Sequence, residues 1–139
     1  TAAAISSADP ERIDTDDRLV ELNYGELDLV PLSEIPAELW AAWRADPGFR
    51  PPGGETLEEL ARRVGAALDE LTPAATSGDV VVVTHVSPVK AALAWCLGVG
   101  VEVSWRSFVG QASITRIGFT NGRGPSLLTF NAESHLDGI

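Results

Sequence analysis

Residues 80–88 read Val-Val-Val-Val-Thr-His-Val-Ser-Pro, and no other stretch constrains the fold as tightly. Four consecutive β-branched apolar residues predict a strand buried on both faces, at the centre of a parallel sheet. Ser87 is placed to cap a helix whose first residue is Pro88, where a missing N–H costs nothing. His85 then stands at the carboxyl end of a central strand, just before a helix N-terminus. In open α/β sheets ligands bind at that edge. The unpaired N–H groups and the positive end of the helix dipole favour an anion there, phosphate above all. Taken from these residues alone, His85 reads equally well as a histidine that closes a strand with a satisfied hydrogen bond.

A chain of 139 residues with 45% hydrophobic content makes one domain with a real core. Its net charge of −10 argues against nucleic acid or an anionic membrane as partner. A phosphate-ester ligand would therefore need the charge reversed locally. Cys96, the single cysteine, lies on an apolar helical stretch and reads as a core thiol in a reducing compartment, and no metal-ligand spacing is present. No apolar run is long enough to span a membrane and no signal peptide is visible, so the expected location is cytoplasmic. Thr1-Ala2-Ala3-Ala4-Ile5 is helix-prone but opens with no strand or cap before it. The expectation is a chain that begins partway through a larger domain.

Further along, a helix is predicted over 33–45, carrying Leu39, Trp40 and Trp43. Pro51-Pro52-Gly53-Gly54 makes a stiff loop. Thr56 and Glu59 have the spacing of a capping box. Leu57, Leu60, Ala61, Val64, Leu68 and Leu71 keep the helical period, which predicts a helix over 57–71. A third helix follows His85 and stops at Gly98. Strands are predicted over 113–119 and 126–130, joined by Asn121-Gly122-Arg123-Gly124.

The order of these motifs resembles the histidine phosphatase, or phosphoglycerate mutase-like, superfamily. Residues 19–25, Leu-Val-Glu-Leu-Asn-Tyr-Gly, are similar to its L-x-E-x-x-x-G segment. Residues 52–57 with Arg63-Val64 resemble its P-G-G-E-S-L … R-V helix start, and 82–85 its V-V-T-H strand end. Residues 112–115, Asn131 and His135-Leu136 resemble its closing hairpin and tail. The resemblance is collinear from Thr1 to Leu136 and corresponds to the C-terminal two-thirds of the family's domain. It implies a three-layer α/β/α fold with a mainly parallel sheet, lacking the family's N-terminal strand and helix, as one N-terminally incomplete domain over 1–139. The implied reaction is in-line phosphoryl transfer to a histidine, then hydrolysis of the phosphohistidine.

By position, His85 matches the family's second histidine, which holds phosphoryl oxygens, and Glu21 matches its general acid and base. A histidine at a helix N-terminus can donate to an equatorial oxygen. A carboxyl between apolar neighbours can give a proton to the departing alkoxide and later take one from water. Read without the resemblance, Glu21 is a solvated charge at a strand end. Trp40 and Trp43, three apart on one helix face, read first as core or lid packing. In the family this segment often covers the substrate pocket, which makes Trp43 a candidate substrate-binding residue. Val86 stands where the family has glycine, so its backbone is the second candidate for meeting the substrate. Glu55 and Arg63 suit a helix-capping and ion-pair role, and His135 a tail-docking one.

The sequence departs from the family in instructive ways. The R-H-G strand bearing the nucleophile and the S-x-x-x-R-A segment have no counterpart, and Leu27-Asp28-Leu29 replaces W-E-G. His85 and His135 are the only histidines, so this chain alone does not form the phosphohistidine. The compact span between Glu21 and His85 resembles the phosphatase branch more than the mutases. A mutase-like isomerase and a catalytically dead phosphate-binding or interaction module are the alternatives. The implied partner is a small phosphorylated metabolite, with a homodimer allowed. No cofactor and no metal are expected, since histidines and arginines do in this family what a divalent ion does elsewhere.

Overall fold

The computed structural model describes residues 1–5, 13–119 and 123–138. Its elements in chain order are α1 (Ala2–Ile5), α2 (Ala37–Ala45), α3 (Leu57–Ser77), α4 (Val86–Leu97), β1 (Ile114–Phe119) and β2 (Pro125–Ala132), linked by short 3-10 turns. α3 is the spine. Thr56 accepts from the Glu59 amide, and the Glu59 carboxylate accepts from the Thr56 amide, which closes the predicted capping box. The helix buries Leu57, Leu60, Val64 and Ala67 along one stripe. Leu57, Leu60 and Val64 meet Leu22, Trp43, Ala91 and Val101 in a single core cluster. Each fully buried Leu or Val contributes about 1.5–3 kcal/mol of transfer free energy.

α3 packs on α4, and α4 packs on the 3-10 segment Val101–Arg106 and on β2. β1 and β2 pair antiparallel, with Ile114 opposite Ala132 and Phe119 opposite Pro125. Both predicted strands are therefore present. The Asn121-Gly122 half of their predicted turn lies outside the described residues.

Three helix boundaries differ from those expected. α2 begins at Ala37 behind Pro36, and residues 32–34 form a separate 3-10 turn. Proline has no N–H to donate and restricts the residue before it, so the predicted helix breaks there. α3 continues through Pro73 to Ser77, beyond the predicted end at Leu71. Thr72 and Thr76 donate back to the Leu68 and Pro73 carbonyls over that last stretch. α4 begins at Val86 with His85 as its N-cap, which moves Pro88 to the third helical position. That position still needs no N–H partner, so proline fits equally well.

The largest correction concerns residues 80–84. They form no ladder with any described strand, so the parallel pairing expected around them is not made among the described residues. The expected burial on both faces is absent too: Val81 is 70% exposed and Val83 41%. A parallel strand needs a neighbour reached through a crossover, and the segments flanking 80–84 are α3 and α4. Alternation survives on one side. Val80, Val82 and Thr84 line an apolar cavity of about 180 Å³ with Leu68, Trp95 and Phe119. The Thr84 hydroxyl donates to the Leu19 carbonyl and pins the end of this segment beside residues 17–24.

Candidate functional site at the start of α4

Two stretches far apart in sequence converge at the N-terminus of α4. The first is the irregular segment 17–25. Arg63, from the second turn of α3, holds it in place. One of its terminal nitrogens donates to the carbonyls of Arg18 (2.7 Å) and Val20 (2.8 Å), and the other to that of Glu21 (3.0 Å). The same guanidinium grips Glu55 through both carboxylate oxygens, at 2.6 and 3.1 Å. Glu55 in turn accepts from the Asn23 amide at 2.9 Å. A bidentate, half-buried pair of this kind fixes position as well as charge. The ion-pair role expected of Glu55 and Arg63 is what the structure contains, with three backbone carbonyls added.

Gly25 ends the segment at φ +59°, and a Cβ there would run into the Pro52 carbonyl. Only glycine lets the chain pass this close to the Pro52-Gly53-Gly54 loop. Across that contact the Glu26 amide donates to Pro52 (2.8 Å) and the Glu55 amide to Asn23 (2.9 Å).

With its backbone so held, Glu21 turns its carboxylate onto the start of α4. Oε1 accepts from its neighbour Leu22 at 2.7 Å and from the Ser87 amide at 3.2 Å, and Oε2 lies 3.4 Å from the same amide. Ser87 is the second residue of α4, and a negative group is favoured against that terminus. His85 is the N-cap immediately before it, with φ −115° and ψ 176°. Its side chain is exposed and makes no hydrogen bond among the described residues. Glu21 and His85, 64 positions apart, thus meet at one helix terminus. Ser87 does not cap with its side chain; its hydroxyl lies 3.3 Å from that of Tyr24.

Beside this terminus opens a cavity of about 380 Å³. Leu22, Val86 and Ser87, close in sequence to Glu21 and His85, line it, whereas Glu21 and His85 themselves do not. Its far walls are Trp40, Trp43 and Trp105. Trp40 stacks on Trp43 at 5.7 Å between centroids, and Trp105 meets Trp43 edge-on at 6.1 Å. Trp43, 1% exposed, belongs to the core and to the cavity at once. Burial pushes the Tyr24 hydroxyl pKa up. Burial also pulls the Lys90 ammonium down, against the nearby Glu21 charge, which favours its protonated form.

Lys90 was missed by sequence reasoning, though a signal existed: it is the one lysine of the chain, on an otherwise apolar helix. His135 lies elsewhere and donates to the Ala112 carbonyl at 2.9 Å, docking the tail. Cys96 is buried, and desolvation raises its thiol pKa. Among the described residues no cluster of three His, Cys, Asp or Glu could hold a metal ion, and no helix is long and apolar enough to cross a membrane.

A family model described as the histidine phosphatase superfamily, branch 1, matches residues 1–133. The chain is 32% identical over 124 residues to the bifunctional protein Rv2228c of Mycobacterium tuberculosis, covering 87% of this chain and 34% of that one. It is 31% identical over 124 residues to a Yersinia enterocolitica protein named probable phosphoglycerate mutase GpmB, covering 86% and 57%. Among solved structures, mycobacterial glucosyl-3-phosphoglycerate phosphatase with inorganic phosphate superposes with a TM-score of 0.70 at 26% identity, over 86% of this chain and 64% of that one. Alpha-ribazole phosphatase from Shigella flexneri shares the fold, with a TM-score of 0.69 at 21% identity over 94% and 66%. The chain spans about a third of the mycobacterial relative's length and somewhat over half of the Yersinia one.

Proposed function

The chain belongs to the histidine phosphatase superfamily and has its α/β fold, and from that premise we propose that residues 1–139 are the larger, N-terminally incomplete part of a phosphomonoester hydrolase domain. The observation that supports the reading is that Glu21 accepts from the Ser87 amide at the helix N-terminus whose N-cap is His85. Sequence distance alone makes that coincidence improbable, and the family resemblance assigned those two residues complementary tasks.

In this reading a small phosphorylated metabolite places its phosphoryl group against His85 and the first amides of α4. His85 donates to a phosphoryl oxygen as charge builds during in-line transfer. Glu21 gives its proton to the departing alkoxide, so the P–O bond breaks to a neutral alcohol. It then takes a proton from the water that cleaves the phosphohistidine. The nucleophile is a histidine outside residues 1–139, because His135 is committed to Ala112 and lies at the tail. Trp43 and the Val86 backbone shape the pocket for the alcohol part. Hydrolysis is favoured over isomerisation by the compact chain between Glu21 and His85 and by the likeness to structures named as phosphatases.

The test is an activity measurement in two forms. The 139-residue chain alone should form no phosphohistidine and turn over no phosphomonoester, since binding groups do not replace a nucleophile. Restoring a segment that carries the nucleophile should give chelator-insensitive hydrolysis. In that form His85→Ala should lower kcat/KM by about 10²–10³, the loss typical of one transition-state donor. Brisk turnover by the chain alone would overturn the assignment.

A further inference from the structure

Residues 27–30 close a tight turn, in which the Val30 amide donates to the Leu27 carbonyl at 3.1 Å. Asp28 takes φ −63° and ψ 133°, and Leu29 follows at φ +63°. That is the backbone of a type II turn, whose third residue needs a positive φ and is ordinarily glycine. A leucine there is strained by its own Cβ. Two other non-glycine residues among those described share the left-handed region, and each has a local reason. Asn131 is a residue type that tolerates it, and its side chain accepts from the Gly110 amide. Ala112 has its carbonyl tied to His135. Leu29 has neither. Its side chain is 95% exposed, so no packing among the described residues offsets the strain.

An exposed leucine by itself is ordinary. What sets Leu29 apart is its place, on the lining of the 380 Å³ cavity beside the start of α4. Leu29 and Val86, the neighbour of His85, are the exposed apolar residues of that lining, whereas Leu22, Ile35, Trp43 and Leu57 are buried. Three of its polar side chains have partners within the protein. Lys90 donates to the Ser104 carbonyl at 3.0 Å, and the Tyr24 and Ser87 hydroxyls lie 3.3 Å apart. Asp28, beside Leu29 on the turn, is exposed. Leucine thus adds apolar area at the mouth of the cavity, on a turn that glycine would form without strain.

Resting on the phosphomonoesterase reading above, we propose that Leu29 is a specificity-determining residue, which seats on the alcohol part of the phosphomonoester and selects esters that present an apolar face there. A phosphoryl group held at the start of α4 leaves its alcohol part beside Val86, on the cavity that Leu29 borders. Covering the leucine side chain removes its apolar area from water, and that gain offsets the strain of the turn in the complex alone.

Phenylphosphonate and methylphosphonate share one head group, differ in the apolar group attached to it, and carry a C–P bond that phosphomonoester hydrolysis does not cleave. Isothermal titration of the 139-residue chain should find phenylphosphonate about tenfold tighter than methylphosphonate. Leu29→Gly should weaken phenylphosphonate about fivefold, leave methylphosphonate binding in place, and raise the melting temperature by relieving the turn. Leu29→Ser, which keeps a Cβ in the turn but little apolar area, should lose the preference equally, and Leu29→Met should keep it. An undiminished preference in Leu29→Gly would overturn the proposal, as would equal affinities in the parent chain. A loss in Leu29→Gly that Leu29→Ser does not share would also overturn it, by assigning the effect to the turn. In each of these cases methylphosphonate binding leaves the phosphatase reading standing. Failure of both phosphonates, and of inorganic phosphate, to bind the parent chain would remove that reading as well.

Discussion

In the reaction proposed above, the part of Glu21 depends on where a single carboxylate points. Its backbone is held by Arg63 and its oxygens lie on the Leu22 and Ser87 amides. If it protonates the leaving alcohol, Glu21→Gln in the nucleophile-restored protein should lower turnover of alkyl phosphates by about 10²–10³ and of aryl phosphates by about tenfold or less. An aryl oxide departs well without a proton, so parallel losses for both would sink the general-acid role. The positions of Glu21, His85, Glu55 and Arg63 were legible because each belongs to a motif with its own spacing. The carbonyl contacts of Arg63 were not legible, since every residue carries the same carbonyl. The unpartnered indole N–H groups of Trp43 and Trp105 escaped for a related reason: a tryptophan in sequence advertises apolar area, and whether its N–H finds a partner depends on packing.

At the scale of elements, the strongest signals were those that act within a few residues. The Thr56–Glu59 box and the apolar period of α3 are local, and the helix formed where they placed it. Thr56→Ala should cost about 1–2 kcal/mol in a urea titration, the usual loss for an N-cap. Pro73→Ala should add about 1 kcal/mol, less than the full interior-proline penalty because Pro73 sits near the C-terminal end of α3. Residues 80–84 show the opposite case. A run of valines announces a strand, but pairing depends on a partner that the run itself does not encode. The four valines are left 38–70% exposed. An unpaired apolar segment of this kind recruits other chains. Val81→Lys, on the most exposed of the four, should reduce concentration-dependent light scattering without lowering the melting temperature.

For the whole molecule, charge and connectivity set the behaviour. The chain carries 20 acidic against 10 basic residues, so added salt should raise stability by screening self-repulsion. Arg18 lowers the pKa of Asp16 and Arg50 that of Glu59, both below their ordinary values of 3.8 and 4.5. The unfolded chain therefore binds those protons first as pH falls. The stability these groups contribute is complete above the ordinary values and disappears as pH drops through the lowered ones. Urea midpoints measured from pH 6 down to pH 3 should decline over that window. The Arg63 clamp has a consequence of another kind. One guanidinium ties residues 18–21 to the longest helix of the chain, and that helix begins at the loop against which Gly25 rests. The site and the helix are then one cooperative unit, and neither opens to solvent without the other. Hydrogen exchange should register a common opening free energy for the Leu22, Asn23 and Leu60 amides. Arg63→Ala should divide it, with the first two exchanging early while Leu60 keeps its protection.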